Sequence, residues 1–201
     1  MRSSAASDVY KRQIACMAKL EEAVTTERMI SSMSSLFRYN LKTSEQIVTL
    51  ARELKVVQDY MYIQQMRFGS RILYSCDLKV DAEQAMIPAF TLQPVVENAM
   101  VHGLSKKEQG GRVHVRIWEQ GNRLVISVAD TGLGMSEERL AEVTEAMKER
   151  RTSRIGIGLG NIYKRIHMMY KQGEFRIASI EGRGTVIQMF IPQEKHNRGD
   201  K

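Results

Sequence analysis

The chain has little cysteine, few aromatic residues and no long apolar run, and each shortage removes a class of protein. Its 201 residues include two cysteines, Cys16 and Cys76, far apart and outside any metal-type spacing. Neither a disulfide framework nor a cysteine metal site is indicated, and reduced cytosolic thiols are the natural reading. No uninterrupted apolar stretch approaches the roughly 18 residues that a membrane-spanning helix needs. The N-terminus lacks the apolar segment of a secretory signal. Aromatic side chains make up 6 % of the chain and do not interleave with its dispersed basic residues, which argues against nucleic acid as a partner. What remains is the composition of a soluble globular protein, 43 % hydrophobic and 26 % charged, long enough for one ordinary domain and a smaller appendage. The net charge of +7 suggests an anionic partner without deciding which.

Organisation follows from periodicity. Residues 1–13, "MRSSAASDVYKRQ", have no usable pattern and read as a non-native or disordered edge. Residues 14–71 read as helical. Met29, Met33, Leu36, Phe37 and Asn40 recur at three- and four-residue steps, and so do Leu50, Leu54, Val57, Met61 and Gln64. Thr25 or Thr26 can cap the first helix and Thr49 the second. Such stripes suit an antiparallel helical pair, either packing on itself or forming a dimerisation stalk. From residue 72 to 193 the texture changes. "RILYSCDL" suits a strand, Pro88 falls near the start of a helix, and "LQPVVENAMVHGL" is that helix. Val113, Val115 and Ile117 alternate toward a Gly121-Asn122 turn, and Leu124, Ile126 and Val128 alternate back. A helix from about Ser136, the basic run "KERRTSRI", the helix opened by "GIGLGN" and a final hairpin complete an α+β sandwich, one sheet covered on one face by helices. Residues 194–201 read as a flexible tail.

Four polar or glycine-rich stretches carry candidate chemistry. In the helix of residues 92–104, Leu92, Val95, Val96, Ala99 and Gly103 share an apolar or small stripe, with Asn98 and His102 together on its flank. "DTGLGM" supplies Asp130, Gly132 and Gly134 after a strand. "GIGLGN" supplies Gly156, Gly158, Leu159 and Gly160 at a helix start, and "EGRGT" supplies Gly182, Gly184 and Thr185. Glycines leading into a helix let N–H groups approach phosphate. A carboxylate at a strand end can accept from the amine of adenine, and an amide oxygen suits Mg²⁺ that also holds phosphates. Each feature alone is commonly structural; the four in this order form the parts of an ATP–Mg²⁺ site.

"PVVENAMVHG", "ADTGLGM", "GIGLGN" and "GRGT" resemble the asparagine and glycine boxes of the ATPase domain shared by gyrase, Hsp90, sensor histidine kinases and MutL. The upstream "ISSMSSLFRYNL" and "VTLARELKVVQDYMYIQQMRFGSRI" resemble the helices before that domain in LytS/YehU-type bacterial sensor histidine kinases. The resemblance implies a Bergerat-type mixed sheet under helices, after a helical stalk. It implies Asn98 on Mg²⁺, Asp130 on the adenine amine, Gly132 and Gly134 giving the ring clearance, and Thr185 supporting that pocket. Gly156, Gly158, Leu159 and Gly160 would wrap the phosphates from the hinge of a lid, with His102 a further phosphate contact. Lys148, Arg150, Arg151 and Arg154 in the basic run could screen those phosphates or form a solvated loop. A response-regulator receiver domain and a second copy of the stalk would be the partners, within the cytoplasmic portion of an inner-membrane sensor.

The sequence departs from its relatives in two places. Water-splitting members carry a glutamate one turn before the asparagine, where this chain has Pro94, so hydrolysis is disfavoured and transfer to an external nucleophile is not. Relatives often place Lys or Arg where Val101 stands, three residues after the asparagine. The histidines are His102, His114, His167 and His196, none in the N-terminal helices. Kinases of the kind it resembles phosphorylate a histidine in a helical "NPHFLFN"-like segment just before the part that begins here near Ile14. The resemblance therefore implies a phosphoacceptor outside this chain, which would bind ATP without phosphorylating itself. An anti-sigma-factor-like kinase and a nucleotide module decayed into a scaffold are the competing readings.

Overall fold

A computed structural model describes residues 14, 16–43, 45–148 and 157–193. Expectations for residues 1–13, for Gly156, for Arg150, Arg151 and Arg154, for the Lys148 side chain and for the tail at 194–201 lie outside the described residues.

Two antiparallel helices precede the sheet, α1 at Val24–Lys42 and α2 at Leu50–Phe68. Ser32 donates to Asp59 at 3.1 Å, the Tyr39 hydroxyl donates to Glu53, and the Arg28 guanidinium lies 4.0 Å from the centre of the Tyr62 ring. Of the stripe expected to make this contact, half-buried Leu36 packs against the core, but Met33 and Phe37 do not turn inward. Ser32 and Tyr39 are the buried side chains among those described in α1, while Met33 and Phe37 are exposed. The reason lies in α2. Its apolar residues Leu50, Leu54, Val57 and Met61 are consumed by the core under the sheet, so α1 meets the polar flank bearing Glu53 and Asp59. The caps also divide. Thr49 Oγ1 accepts from the Arg52 N–H at 3.3 Å, whereas α1 starts after Ala23 with no side-chain cap, leaving Thr25 and Thr26 inside its first turn.

The main sheet contains β2 (Ile72–Leu78), β4 (Gly111–Gln120), β5 (Arg123–Asp130), β6 (Glu174–Ile180) and β7 (Gly184–Pro192), in the order β2-β4-β5-β7-β6. The β2–β4 pair is parallel and the others antiparallel, which makes the sheet mixed. Its inner face is set by alternation: Val113, Val115 and Ile117 on β4 and Leu124, Ile126 and Val128 on β5 are all buried. The helices α3 (Leu92–Asn98), α4 (Glu137–Lys148) and α5 (Ile157–Met169) pack with that face in one core. The other face carries cross-strand polar pairs, including Ser75 with His114 at 2.8 Å and Arg116 with Asp77 at 3.4 Å. Two short strands, β1 (Ile47–Thr49) and β3 (Met86–Pro88), form a separate antiparallel ribbon. Pro88 thus ends a strand, and the helix begins four residues later at Leu92.

The helix of residues 92–104 is not α-helical throughout. After Asn98 it continues as a π turn over Ala99–Leu104, with the Ser105 N–H bonding the Met100 carbonyl at 2.8 Å. The stripe Leu92, Val95, Val96, Ala99 and Gly103 is nevertheless buried along its length. Among the described residues no helix is long and apolar enough to cross a membrane.

Candidate nucleotide-binding site

Strand alternation delivers Asp130. Leu124, Ile126 and Val128 face the core, and residue 130 is next on that face, at the strand end. Its side chain is held where few waters reach, and the residue is only 9 % exposed. Burial raises its pKa above the ordinary aspartate value, opposed by N–H groups of Gly132 and Thr185 and by the charge of Lys107. The Gly132 N–H donates to Oδ1 at 2.8 Å. A carboxylate offers about four acceptor positions, so capacity remains for an exocyclic amine.

The surroundings of Asp130 are built from backbone. A Cβ on Gly103 would lie 2.7 Å from Asp130 Oδ1, and one on Gly132 would lie 2.4 Å from the Gly103 Cα. Gly134, at φ +64°, passes so near Ile180 that a Cβ would be 2.0 Å from its carbonyl oxygen. The Leu133 N–H donates to the Gly103 carbonyl at 3.0 Å and the Gly182 N–H to the Leu133 carbonyl at 2.6 Å. The turn after β5 is therefore pinned between the π turn and the β6–β7 turn. Thr185 pairs with Asp130 across the sheet, and its hydroxyl is 2.9 Å from that of Ser179, which also accepts from the Met135 N–H at 2.9 Å.

Asn98 closes α3, half-buried, and no described residue hydrogen-bonds its amide. His102 is exposed on the π turn, where i→i+5 bonding loosens the four-residue stacking expected of an α-helix. Pro94 stands one turn before Asn98, and the Glu97 carboxylate is engaged by Gln93 Nε2 at 2.7 Å. Gly158 and Gly160 lie in the first turn of α5 with nothing within 4 Å of a would-be Cβ, and Leu159 is buried. The geometry thus brings Asp130, Gly132, Gly134 and Thr185 together. Asn98 is placed just before the π turn that touches them, and Gly158 and Gly160 open a separate helix start.

A family model described as "Histidine kinase-, DNA gyrase B-, and HSP90-like ATPase" matches residues 89–195, and one described as "Histidine kinase" matches residues 12–72. The chain belongs to the sensor histidine kinases. It is 35 % identical over 175 residues to sensor histidine kinase YpdA of Escherichia coli (strain K12), covering 85 % of this chain and 29 % of YpdA. It is 30 % identical over 177 residues to sensor histidine kinase YesM of Bacillus subtilis (strain 168), covering 88 % of this chain and 29 % of YesM. Sensor protein LytS of Bacillus anthracis is 29 % identical over 181 residues, 89 % of this chain and 30 % of LytS. The chain therefore spans less than a third of these relatives.

Two solved structures share the fold. The histidine kinase domain of the Erythrobacter litoralis EL346 blue-light activated histidine kinase superposes with a TM-score of 0.53 at 14 % identity, covering 96 % of this chain and 94 % of that one. A nucleotide-free catalytic domain of histidine kinase ThkA gives 0.54 at 17 % identity, covering 74 % and 99 %. Within this sensor histidine kinase chain, sequence reasoning missed Gly103 as a wall of the Asp130 site, counting it only in the buried stripe. A glycine inside an apolar helical pattern costs roughly 1 kcal/mol against alanine, and that unexplained cost was the available signal. Ser179 and Lys107 were also missed. Neither lies in a motif, and only the fold brings them to Thr185 and to the Thr131 carbonyl, 2.6 Å from Lys107 Nζ.

Proposed function

We propose that this chain binds ATP with Mg²⁺ and donates the γ-phosphoryl group to a histidine that lies outside it, for relay to an aspartate of a response-regulator receiver domain. The observation that carries the reading is the buried Asp130 carboxylate, held by backbone N–H groups and walled by Gly103 and Gly132, a slot suited to an amine-bearing flat ring. Asp130 would accept from the adenine amine, Gly132 and Gly134 would leave room for the ring, and Thr185 would brace the pocket through Ser179. Asn98, a half-buried amide with no described protein partner, fits Mg²⁺, which keeps several waters and takes its remaining ligands from phosphates. Gly156, Gly158, Leu159 and Gly160 would give the phosphates a helix start, with His102 as a further contact. Bound Mg²⁺ would neutralise charge on the transferring phosphoryl group. This chain's residues hold the nucleotide and, with Pro94 in the general-base position, do not activate water.

The site reading is tested by nucleotide titration with and without Mg²⁺. Asp130→Ala is expected to lose adenine selectivity, and Asn98→Ala the Mg²⁺ dependence; equal behaviour of both variants and the parent chain would overturn it. Incubation with γ-labelled ATP is expected to leave no acid-labile phosphohistidine on the chain, because its described histidines sit on the π turn, β4 and α5, away from α1 and α2. We place the sensor and membrane segments in the remainder of the longer protein, with this part on the cytoplasmic side and two copies joined through the stalk.

A further inference from the structure

Outside the site, the least ordinary backbone is the three-residue turn between β3 and α3. Phe90 adopts φ +59°, a left-handed conformation that a bulky side chain rarely takes. The consequence is a concave array of N–H groups. Those of Phe90, Thr91 and Leu92 all converge on one carboxylate, Glu53, at 2.7, 3.0 and 2.7 Å. Glu53 belongs to α2 and is wholly buried. The Tyr39 hydroxyl of α1 also donates to it, and the Tyr39 ring lies 4.9 Å from that of Phe90. The opposite edge of the same turn is held by α5: the Arg165 guanidinium donates to the Ala89 carbonyl and lies 3.4 Å from the Phe90 carbonyl oxygen. One strained turn is thus clamped by a carboxylate from the helical pair and a guanidinium from α5, the helix that carries Gly158 and Gly160.

We propose that Glu53 is a positioning residue for the nucleotide site, fixing the start of α3 so that Asn98, two turns on, is held where it meets the metal. Arg165 extends the same registration to α5, whose first turn carries Gly158 and Gly160. The clamp also ties residues within 12–72 to those within 89–195, so that displacement of α2 is passed to both the Asn98 helix and the glycine-bearing helix. This rests on the assignment of Asn98 to Mg²⁺ made above.

The test compares the parent chain with Glu53→Gln, which keeps the shape but presents an NH₂ group to N–H donors. In titrations with ATP, the gain in affinity on adding Mg²⁺ is expected to fall about 10-fold, the scale of losing a group that orients a metal ligand. Affinity without Mg²⁺, set at the Asp130 end, is expected to stay at the parent value; a merely structural role would weaken both alike. Backbone amide exchange of residues 92–104 is expected to accelerate while that of β5 does not. A folded Glu53→Gln with the parent's Mg²⁺ gain overturns the proposal. Should Glu53→Gln fail to fold, Arg165→Met reads the other jaw, with the same split expected and parent-like behaviour again fatal. Absence of any Mg²⁺ gain in the parent chain would sink the Asn98 assignment instead. The exchange arm would then decide alone, unchanged protection of residues 92–104 refuting the positioning role.

Discussion

Glycine is not one residue in this molecule but two. At Gly132 and Gly184 the missing Cβ makes room for neighbouring backbone; a methyl group would lie 2.4 Å from the Gly103 Cα in the first case and 1.9 Å from the Asp130 carbonyl oxygen in the second. Backbone cannot step aside as a side chain can, so Gly132→Ala is expected to destabilise by about 2–4 kcal/mol, the upper range for a single substitution. At Gly160, in the first turn of α5, a methyl group meets nothing, and Gly→Ala is expected to gain up to about 0.5 kcal/mol, the low end of the mid-helix value. Urea unfolding should therefore move in opposite directions for the two variants, while ATP affinity falls in both if Gly160 leaves room for phosphate. Opposite signs in stability with equal signs in binding would separate packing from ligand approach. Asp130 gives a second residue-scale test. Because burial raises its folded-state pKa, the native protein holds that proton more tightly than the unfolded chain. The stability it contributes is present in acid and lost as the pH rises through the raised value. Asp130→Asn is expected to remove that component, leaving unliganded stability at neutral pH equal or higher, while adenine binding is lost. In the parent, ATP affinity should decline on acidification from a higher pH than an ordinary aspartate would give. Urea midpoints and ATP titrations across the acid range check both halves; Asp130→Asn less stable than the parent at neutral pH would refute the first.

At the scale of elements, the two N-terminal helices α1 and α2 begin differently, and the difference is measurable. Thr49→Ala removes the hydroxyl that accepts from the Arg52 N–H and is expected to cost about 1 kcal/mol. Thr25→Ala, inside a helix that starts at an uncapped Ala23, is expected to change stability little, and thermal unfolding of both variants distinguishes a cap from a bystander. The same elements show what a pattern can carry. Alternation at Val113, Val115 and Ile117 and at Leu124, Ile126 and Val128 foretold the central hairpin and the buried face, because a half-buried strand has one period and one core side. The helix of residues 92–104 was equally legible in its stripe, but not in its π turn. Within that turn Gly103 lies against Gly132 and Asp130, a contact between segments nearly thirty residues apart that no local pattern carries. The ribbon of β1 and β3 was invisible because three residues contain no period. In the candidate site, Asp130 and the glycines after it were legible because polar and small residues interrupt apolar patterns where elements end. Glu53 was not, since a carboxylate beside Leu54 on a helix reads as solvent-facing until Phe90 turns three N–H groups toward it.

At the scale of the whole molecule, the assignment of faces decides what the helical pair is for. One apolar stripe of α2 is spent on the sheet core, and its polar flank receives Ser32 and Tyr39 of α1. Leu36 of α1 leans on that core, but Met33 and Leu41 of the same helix are turned outward, 41 % and 69 % exposed. A soluble helix that turns such a row outward gains by covering it, and a second copy of the same helix offers the matching row. A two-fold contact of this kind would build a four-helix bundle from two helical pairs. Met33→Lys with Leu41→Lys adds charge only to that row, away from Glu53, Asp59 and the sheet. Sedimentation velocity over a range of concentrations should find the parent chain associating to a dimer and the double variant remaining a monomer. ATP titration should give the same affinity for both, because no residue proposed to hold the nucleotide lies on α1. A parent that stays monomeric at every concentration, or a double variant that dimerises as well as the parent, would show that this row serves another contact.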